Sequence, residues 1–138
     1  MTIPDSARRV LEGPALAHLV TLEPDGRPQV SLVWIGIDGE ELVCGHLPLH
    51  RKIRNMQRDP RVTVSIEAGT HNQLGLQEYL VIHGRARVTE GGAPELLQRL
   101  AHVYLGPDVT FPPMPNPPPG YITHITVERI GGVGPWAA

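Results

Sequence analysis

Five of the chain's 12 basic side chains (Arg51, Lys52, Arg54, Arg58 and Arg61) fall within eleven consecutive residues, with Asp59 the only acid among them and Lys52 the only lysine in the sequence. They belong to a segment, HRKIRNMQR (50–58), that follows His46-Leu47-Pro48-Leu49 and has helical character. Ile53 and Met56, three apart, share an inner face, and Arg51, Arg54 and Arg58 run along an outer one. A helix N-terminus offers backbone N–H donors without intrahelical partners and a favourable dipole, so cations added there make an anion site, most naturally for phosphate. Taken alone, a charge run equally fits a solvated helix face, but its position at a strand-to-helix junction favours phosphate.

Other chemistry-bearing residues say less. His46 and His50 are four apart, the spacing of two ligands on one helix, but Pro48 lies between them and no neighbouring Cys, Asp or Glu supplies a third, so a metal site is not expected. His83 and His124 sit within strand-like runs, where histidines are usually structural. Ser6, Ser31 and Ser65 lack a GxSxG context, and Cys44 on an apolar run reads as a small core residue. Neither a Walker A loop nor GxGxxG occurs. Trp34 alternates with Val30 and Leu32, which predicts core packing; Trp136 either caps its own barrel or reaches a neighbouring subunit. Gln77 and Tyr79 begin a long strand and are candidates to line a pocket.

The elements that must position these residues are mostly strands. Residues 4–12 read as a short helix stopped by Gly13. Runs 17–23 and 28–37 flank the turn signal Pro24-Asp25-Gly26, and Asp38-Gly39 leads into 41–46, so three antiparallel strands in a meander are predicted. Asp59-Pro60 ends the basic helix. Strands resume at 61–67 and 77–89, the latter with Gly84 as a bulge or bend. Leu96, Leu97, Leu100, Val103 and Tyr104 give 94–105 an amphipathic period. Seven prolines in 106–119 dictate a stiff connecting loop, which also permits a weak SH3-ligand reading. A last strand spans 121–130, and 131–138 form a tail. The predicted class is mainly β: one domain over 1–138, an antiparallel barrel of about six strands with inserted helices.

Composition narrows the function classes. With 138 residues, 12 Lys+Arg against 14 Asp+Glu, and 4% aromatics, the chain has neither the charge nor the stacking residues of a nucleic-acid binder. A single cysteine suits a reducing compartment, and the absence of a long apolar run or leader-like start points to a cytoplasmic protein without a membrane span.

Three segments, HLVTLEPDGRPQVSLVWIGIDG (18–39), HRKIRNMQRDPRVTVSIE (50–67) and YLVIHGRARV (79–88), resemble in their order the flavin-binding split β-barrel family. That group includes pyridoxamine 5'-phosphate oxidase-like proteins and deazaflavin (coenzyme F-420)-dependent reductases. The resemblance covers about residues 5–130 and implies a homodimer with two cofactor sites at the subunit interface. It assigns the cofactor phosphate to Arg51, Lys52, Arg54 and Asn55. The ring system is implied near Gln29, Ser31, Val33 and the loop after His46, with Tyr79 a further neighbour. Full pyridoxamine 5'-phosphate oxidases resemble this barrel but continue into an Arg-rich substrate site, whereas this sequence ends in GGVGPWAA, which moves the resemblance toward the short deazaflavin branch. The basic 50–61 segment suits coenzyme F-420, whose phosphate continues into an anionic oligoglutamate tail.

The expected activity is hydride transfer from reduced deazaflavin to a conjugated small-molecule substrate, the cofactor supplying the chemistry and the protein orientation and dryness. No side chain stands out as general acid or base. The alternatives are an FMN-binding oxidoreductase on the same fold and a non-catalytic flavin or deazaflavin carrier.

Overall fold

The computed structural model describes residues 1–137. Ala138, the last residue of the predicted tail, lies outside them. The elements run α1 (Asp5–Leu11), β1 (Ala17–Leu22), β2 (Pro28–Val33), β3 (Gly36–Asp38), β4 (Glu41–His46), α2 (Arg51–Arg58), β5 (Arg61–His71), β6 (Gln77–Glu90), α3 (Ala93–Tyr104) and β7 (Tyr121–Val133). The strands form one antiparallel sheet in the order β2-β1-β5-β6-β7-β4-β3.

The two edge strands, β2 and β3, are consecutive in the chain and separated only by Trp34 and Ile35. With so short a link the sheet must curl until its edges approach, giving a barrel open along one seam. Its interior takes alternate residues of each strand: Ala17 and Leu19, Val62, Val64 and Ile66, Leu80 and Ile82, Leu42 and Cys44, Ile125 and Val127. Each large aliphatic side chain so buried contributes about 1.5–3 kcal/mol relative to exposure. Helix α2 adds Ile53 and Met56 to this core, so the predicted inner face is the observed one.

The consecutive pairings of the predicted meander are present, but its middle strand is split across the seam. β1 and β2 pair as a hairpin, but β4 pairs with β3 and β7 at the other end of the sheet order. The run 28–37 breaks because Tyr104 intervenes: its hydroxyl receives the Ile35 N–H at 3.1 Å and donates to the Ala15 carbonyl at 2.9 Å. Trp34 lies outside the strand and stacks on the Tyr104 ring, with centroids 5.5 Å apart and planes 13° apart. Val30 and Leu32, expected with Trp34 on the core face, are 57% and 58% exposed, because it is Val33 that turns inward.

There are seven strands rather than about six, and the later ones outrun their predicted limits. β5 reaches His71, and β7 reaches Val133 inside the expected tail. Gly84 interrupts the β6–β7 register as expected: a Cβ there would stand 2.3 Å from the Thr126 carbonyl oxygen. Trp136 caps its own barrel, 8% exposed, with its indole N–H donating to the Tyr79 carbonyl at 3.2 Å.

Candidate functional site

Helix α2 begins at the seam side of the barrel after the loop Leu47–His50, and its first turn divides two neighbouring cavities. Arg51 lines one and Lys52 the other, because successive helical residues point about 100° apart.

The first is a cleft of about 560 Å3 lined by Glu23, Pro24, Asp25, Arg27, Arg51, Arg54, Asn55 and Arg58. Four arginines against two carboxylates leave it net positive. Arg51 pairs with Glu23 at 3.3 Å and Arg27 with Asp25 at 3.4 Å. Arg58 donates to the Leu22 carbonyl and, at 3.2 Å, to Asn55 Oδ1. Arg54 has neither an ion pair nor a side-chain hydrogen bond among the described residues, so its guanidinium is free for a ligand.

A chain of side-chain hydrogen bonds ties this cleft to the barrel. Asn55, 1% exposed, donates through Nδ2 to Thr21 Oγ1 at 3.0 Å; Thr21 donates to Gln29 Oε1 at 2.9 Å; Gln29 Nε2 donates to Ser31 Oγ at 2.8 Å. Gln29 and Ser31, both on β2, are thus coupled to Asn55 on α2. The network fixes α2 on β1 and β2 and satisfies polar groups that would otherwise cost about 1–3 kcal/mol each when buried.

The second cavity, about 310 Å3, is lined by Leu16, Leu32, Val33, Trp34, Gly45, His46, Leu47, Pro48, His50, Lys52, Leu97 and Phe111. Its ionisable lining is two histidines and the lone lysine, with no carboxylate. His46 is buried and hydrogen-bonded to Thr123 Oγ1 at 3.1 Å; burial foremost, then the nearby Lys52 and His50, pushes its pKa down to about 3, so it is neutral. Burial likewise lowers His50 and Lys52, the latter less than half open to solvent. Cys44, behind this wall, is pushed up to about 12 by its burial and stays a thiol.

The structure therefore divides the sequence-predicted residues. Arg51, Arg54 and Asn55 meet in the arginine cleft, with Gln29 and Ser31 bonded to its floor through Thr21. Val33, His46 and Lys52 meet in the aromatic cavity. Tyr79 lines neither and is 40% exposed beside the Trp136 tail. Arg61, counted with the basic cluster, is turned away and held by Asp59 at 2.8 Å. Sequence reasoning missed Glu23, Arg27, Thr21 and Phe111. Arg27 lies in the Asp-Gly turn, where a basic residue carries no signal until β1–β2 pairing brings it across from α2.

The pyridoxamine 5'-phosphate oxidase family model matches residues 3–134. The chain is similar over 94% of its length, and over 98% of the other chain, to an F420 reductase, with 26% identity and a TM-score of 0.75. It also shares its fold with the conserved hypothetical protein Rv2991 of Mycobacterium tuberculosis, at 22% identity and TM-score 0.70 over 96% of this chain and 85% of that one. Group A Streptococcus HupZ follows at 17% identity and TM-score 0.66, with 98% of each chain covered. With the open-seamed barrel, the arginine cleft and a match over nearly all its residues, this chain belongs to the pyridoxamine 5'-phosphate oxidase family, built on a flavin-binding split barrel.

Proposed function

We propose that the protein is a deazaflavin (coenzyme F-420)-dependent reductase acting on a conjugated small molecule. The observation that carries this reading is the pairing of two unlike cavities on one helical turn: a net-positive cleft suited to phosphate and a polyanionic tail, beside an aromatic cavity suited to a planar ring. The donor set fits such a cofactor. Arg54 and Arg51 are placed to meet phosphate oxygens, and Asn55 holds the helix that presents them. Val33 and His46 line the cavity, and Ser31 ends the hydrogen-bond chain that starts at Asn55 in the cleft. The similarity to an F420 reductase supports the deazaflavin over FMN.

When bound, the deazaflavin supplies hydride transfer; the protein's part is orientation and electrostatics. Lys52 would bring a partly desolvated positive charge to the cavity, where it would stabilise negative charge developing on a substrate oxygen. His46, neutral and fixed by Thr123, offers a hydrogen-bonding group without competing charge. Trp34, Phe111, Leu16 and Leu32 give the cavity an apolar wall that would limit water beside a bound ring.

The working unit in this proposal is a homodimer with the cofactor at the interface. Val30 and Leu32 stand exposed on edge strand β2, next to Leu16 at 47%, and an apolar sheet edge of this kind calls for cover. The test is a titration of purified protein into coenzyme F-420, followed by the cofactor's own fluorescence, with FMN as competitor. Micromolar or tighter binding that FMN does not displace is expected. Displacement by FMN assigns the site to FMN, and failure to bind either removes the cofactor reading.

A further inference from the structure

The Pro-rich segment 106–119 is not a passive connection. It leaves the end of α3, delivers Phe111 to the ring of Trp34 (centroids 5.0 Å apart, planes at 60°), and ends at Gly120 against the backbone of His46 and Leu47. Gly120 has φ +64°, and a Cβ there would lie 2.3 Å from the His46 carbonyl oxygen, so the segment closes tightly onto the loop. Three residues touched by this path, Trp34, His46 and Leu47, line the aromatic cavity together with Phe111 itself. The segment is therefore a strap across the cavity.

Its middle is held by one side chain. Gln98, in the middle of α3, donates through Nε2 to the Val109 carbonyl at 2.9 Å and accepts the Phe111 N–H through Oε1 at 3.0 Å. The amide thereby pairs with the strap backbone as a neighbouring strand would. Among the described residues, the Phe111 N–H is the only backbone group of 110–118 bonded to the rest of the protein. Seven prolines cost the strap donors but also stiffen it, so one two-point attachment suffices to set Phe111. On the other side, Trp34 is backed by the Tyr104 ring, itself fixed by hydrogen bonds to Ile35 and Ala15.

We propose that the strapped cavity is a slot selecting a planar aromatic ligand that carries an oxyanion or carbonyl oxygen. Trp34 and Phe111 are its specificity-determining walls, and Gln98 is the residue that positions Phe111. The walls supply ring faces and edges, and Lys52 and His50 meet the oxygen. That this slot serves a reductase rests on the preceding functional reading; its existence and selectivity do not.

The test uses the full chain without cofactor and two probes of equal charge, 1-naphthoate (planar) and cyclohexanecarboxylate (not planar). The readout is the pair of tryptophan indole N–H signals in a 1H–15N correlation spectrum, assigned with Trp34→Phe; the sequence has two tryptophans, so Trp136 serves as an internal control of folding. Naphthoate is expected to shift the Trp34 signal and to bind more tightly than cyclohexanecarboxylate. Phe111→Ala should weaken naphthoate by about three- to tenfold, the size of one aromatic contact, while changing cyclohexanecarboxylate by less than about twofold. Gln98→Leu should move the unliganded Trp34 signal and reproduce the loss, and Gln98→Glu, which still accepts the Phe111 N–H, should restore part of it. Equal binding of the two acids, an unchanged preference in Phe111→Ala, or a Trp34 signal indifferent to Gln98→Leu overturns the proposal. None of these outcomes depends on cofactor binding, and loss of F-420 binding would leave them standing.

Discussion

Neutralising Glu23 should tighten the binding of an anionic cofactor, whereas removing Arg54, which lines the same cleft, should weaken it. In the cleft Glu23 holds Arg51 at 3.3 Å, and the Arg51 side chain is 74% exposed while that of Glu23 is 19% exposed. An ion pair this open to solvent is worth at most about 1 kcal/mol, so little stability is at stake. Its cost to an incoming anion is larger in kind. The carboxylate repels the phosphate and also competes for the guanidinium, and at near-contact distances in a solvated cleft one such charge is worth about 1 kcal/mol. Glu23→Gln keeps the side chain's size, removes the charge and frees Arg51, so affinity should rise by about two- to tenfold. Arg54 is the opposite case. With no competing partner it gives its full charged hydrogen bond to the ligand, about 1.5–3 kcal/mol, so Arg54→Ala should weaken binding by about ten- to a hundredfold. Arg51→Ala should fall between these, because part of what Arg51 offers is already taken by Glu23. The assay is fluorescence titration of coenzyme F-420 at low and moderate salt. Wild-type affinity should fall with ionic strength, and less steeply in Arg54→Ala. Weaker binding in Glu23→Gln, or Arg54→Ala within about twofold of wild type at low salt, would refute the assignment of phosphate to this cleft.

Three further predictions concern the frame that holds the site. Gly84→Ala drives a Cβ to 2.3 Å from the Thr126 backbone oxygen, which the sheet can relieve only by parting β6 from β7, so a loss of about 2–4 kcal/mol is expected in urea denaturation. Trp136→Ala removes a nearly buried indole and its bond to Tyr79, which should cost about 3–5 kcal/mol and expose the end of β6, seen as a lower melting temperature. His46 has a folded pKa of about 3 against 6.5 for the free side chain, so between these values the unfolded chain binds a proton that the folded chain refuses. Stability from this group is then fully present above about pH 6.5 and declines as pH falls toward 3. His46→Gln, which can still bond Thr123, should flatten that acid limb in melting temperatures taken between pH 7 and 4, and an unchanged slope would show that other groups carry it.

Much of the frame was legible from local pattern. The α2 helix and its buried Ile53 and Met56 follow from spacing and from Asp59-Pro60; the Gly84 bulge follows from a glycine inside a long β-branched run. The family resemblance likewise rested on short motifs whose order survives in the fold. What could not be read is where non-neighbouring elements meet. Nothing in 28–37 announces that the strand breaks at Trp34, because the cause is the Tyr104 hydroxyl, reached only once α3 crosses the seam. Nothing in 50–61 announces that its five cations part company: a 100° step per residue sends Arg51 and Lys52 to different cavities, and Arg61 on the next strand to Asp59.

By itself, then, the sequence determined the residue types available to bind an anion, the periodicities of the strands and helices, and the stiffness of the 106–119 segment. Those properties depend on neighbours one to four residues apart, and such neighbours are visible along the chain. Only the tertiary structure decided that Glu23 and Arg27 share a cleft with Arg54, that Gln29 and Ser31 connect to Asn55 through Thr21, and that Gln98 sets Phe111 against Trp34. Each depends on a sheet that curls because its two edge strands are joined by two residues, and that closure is a property of the whole chain.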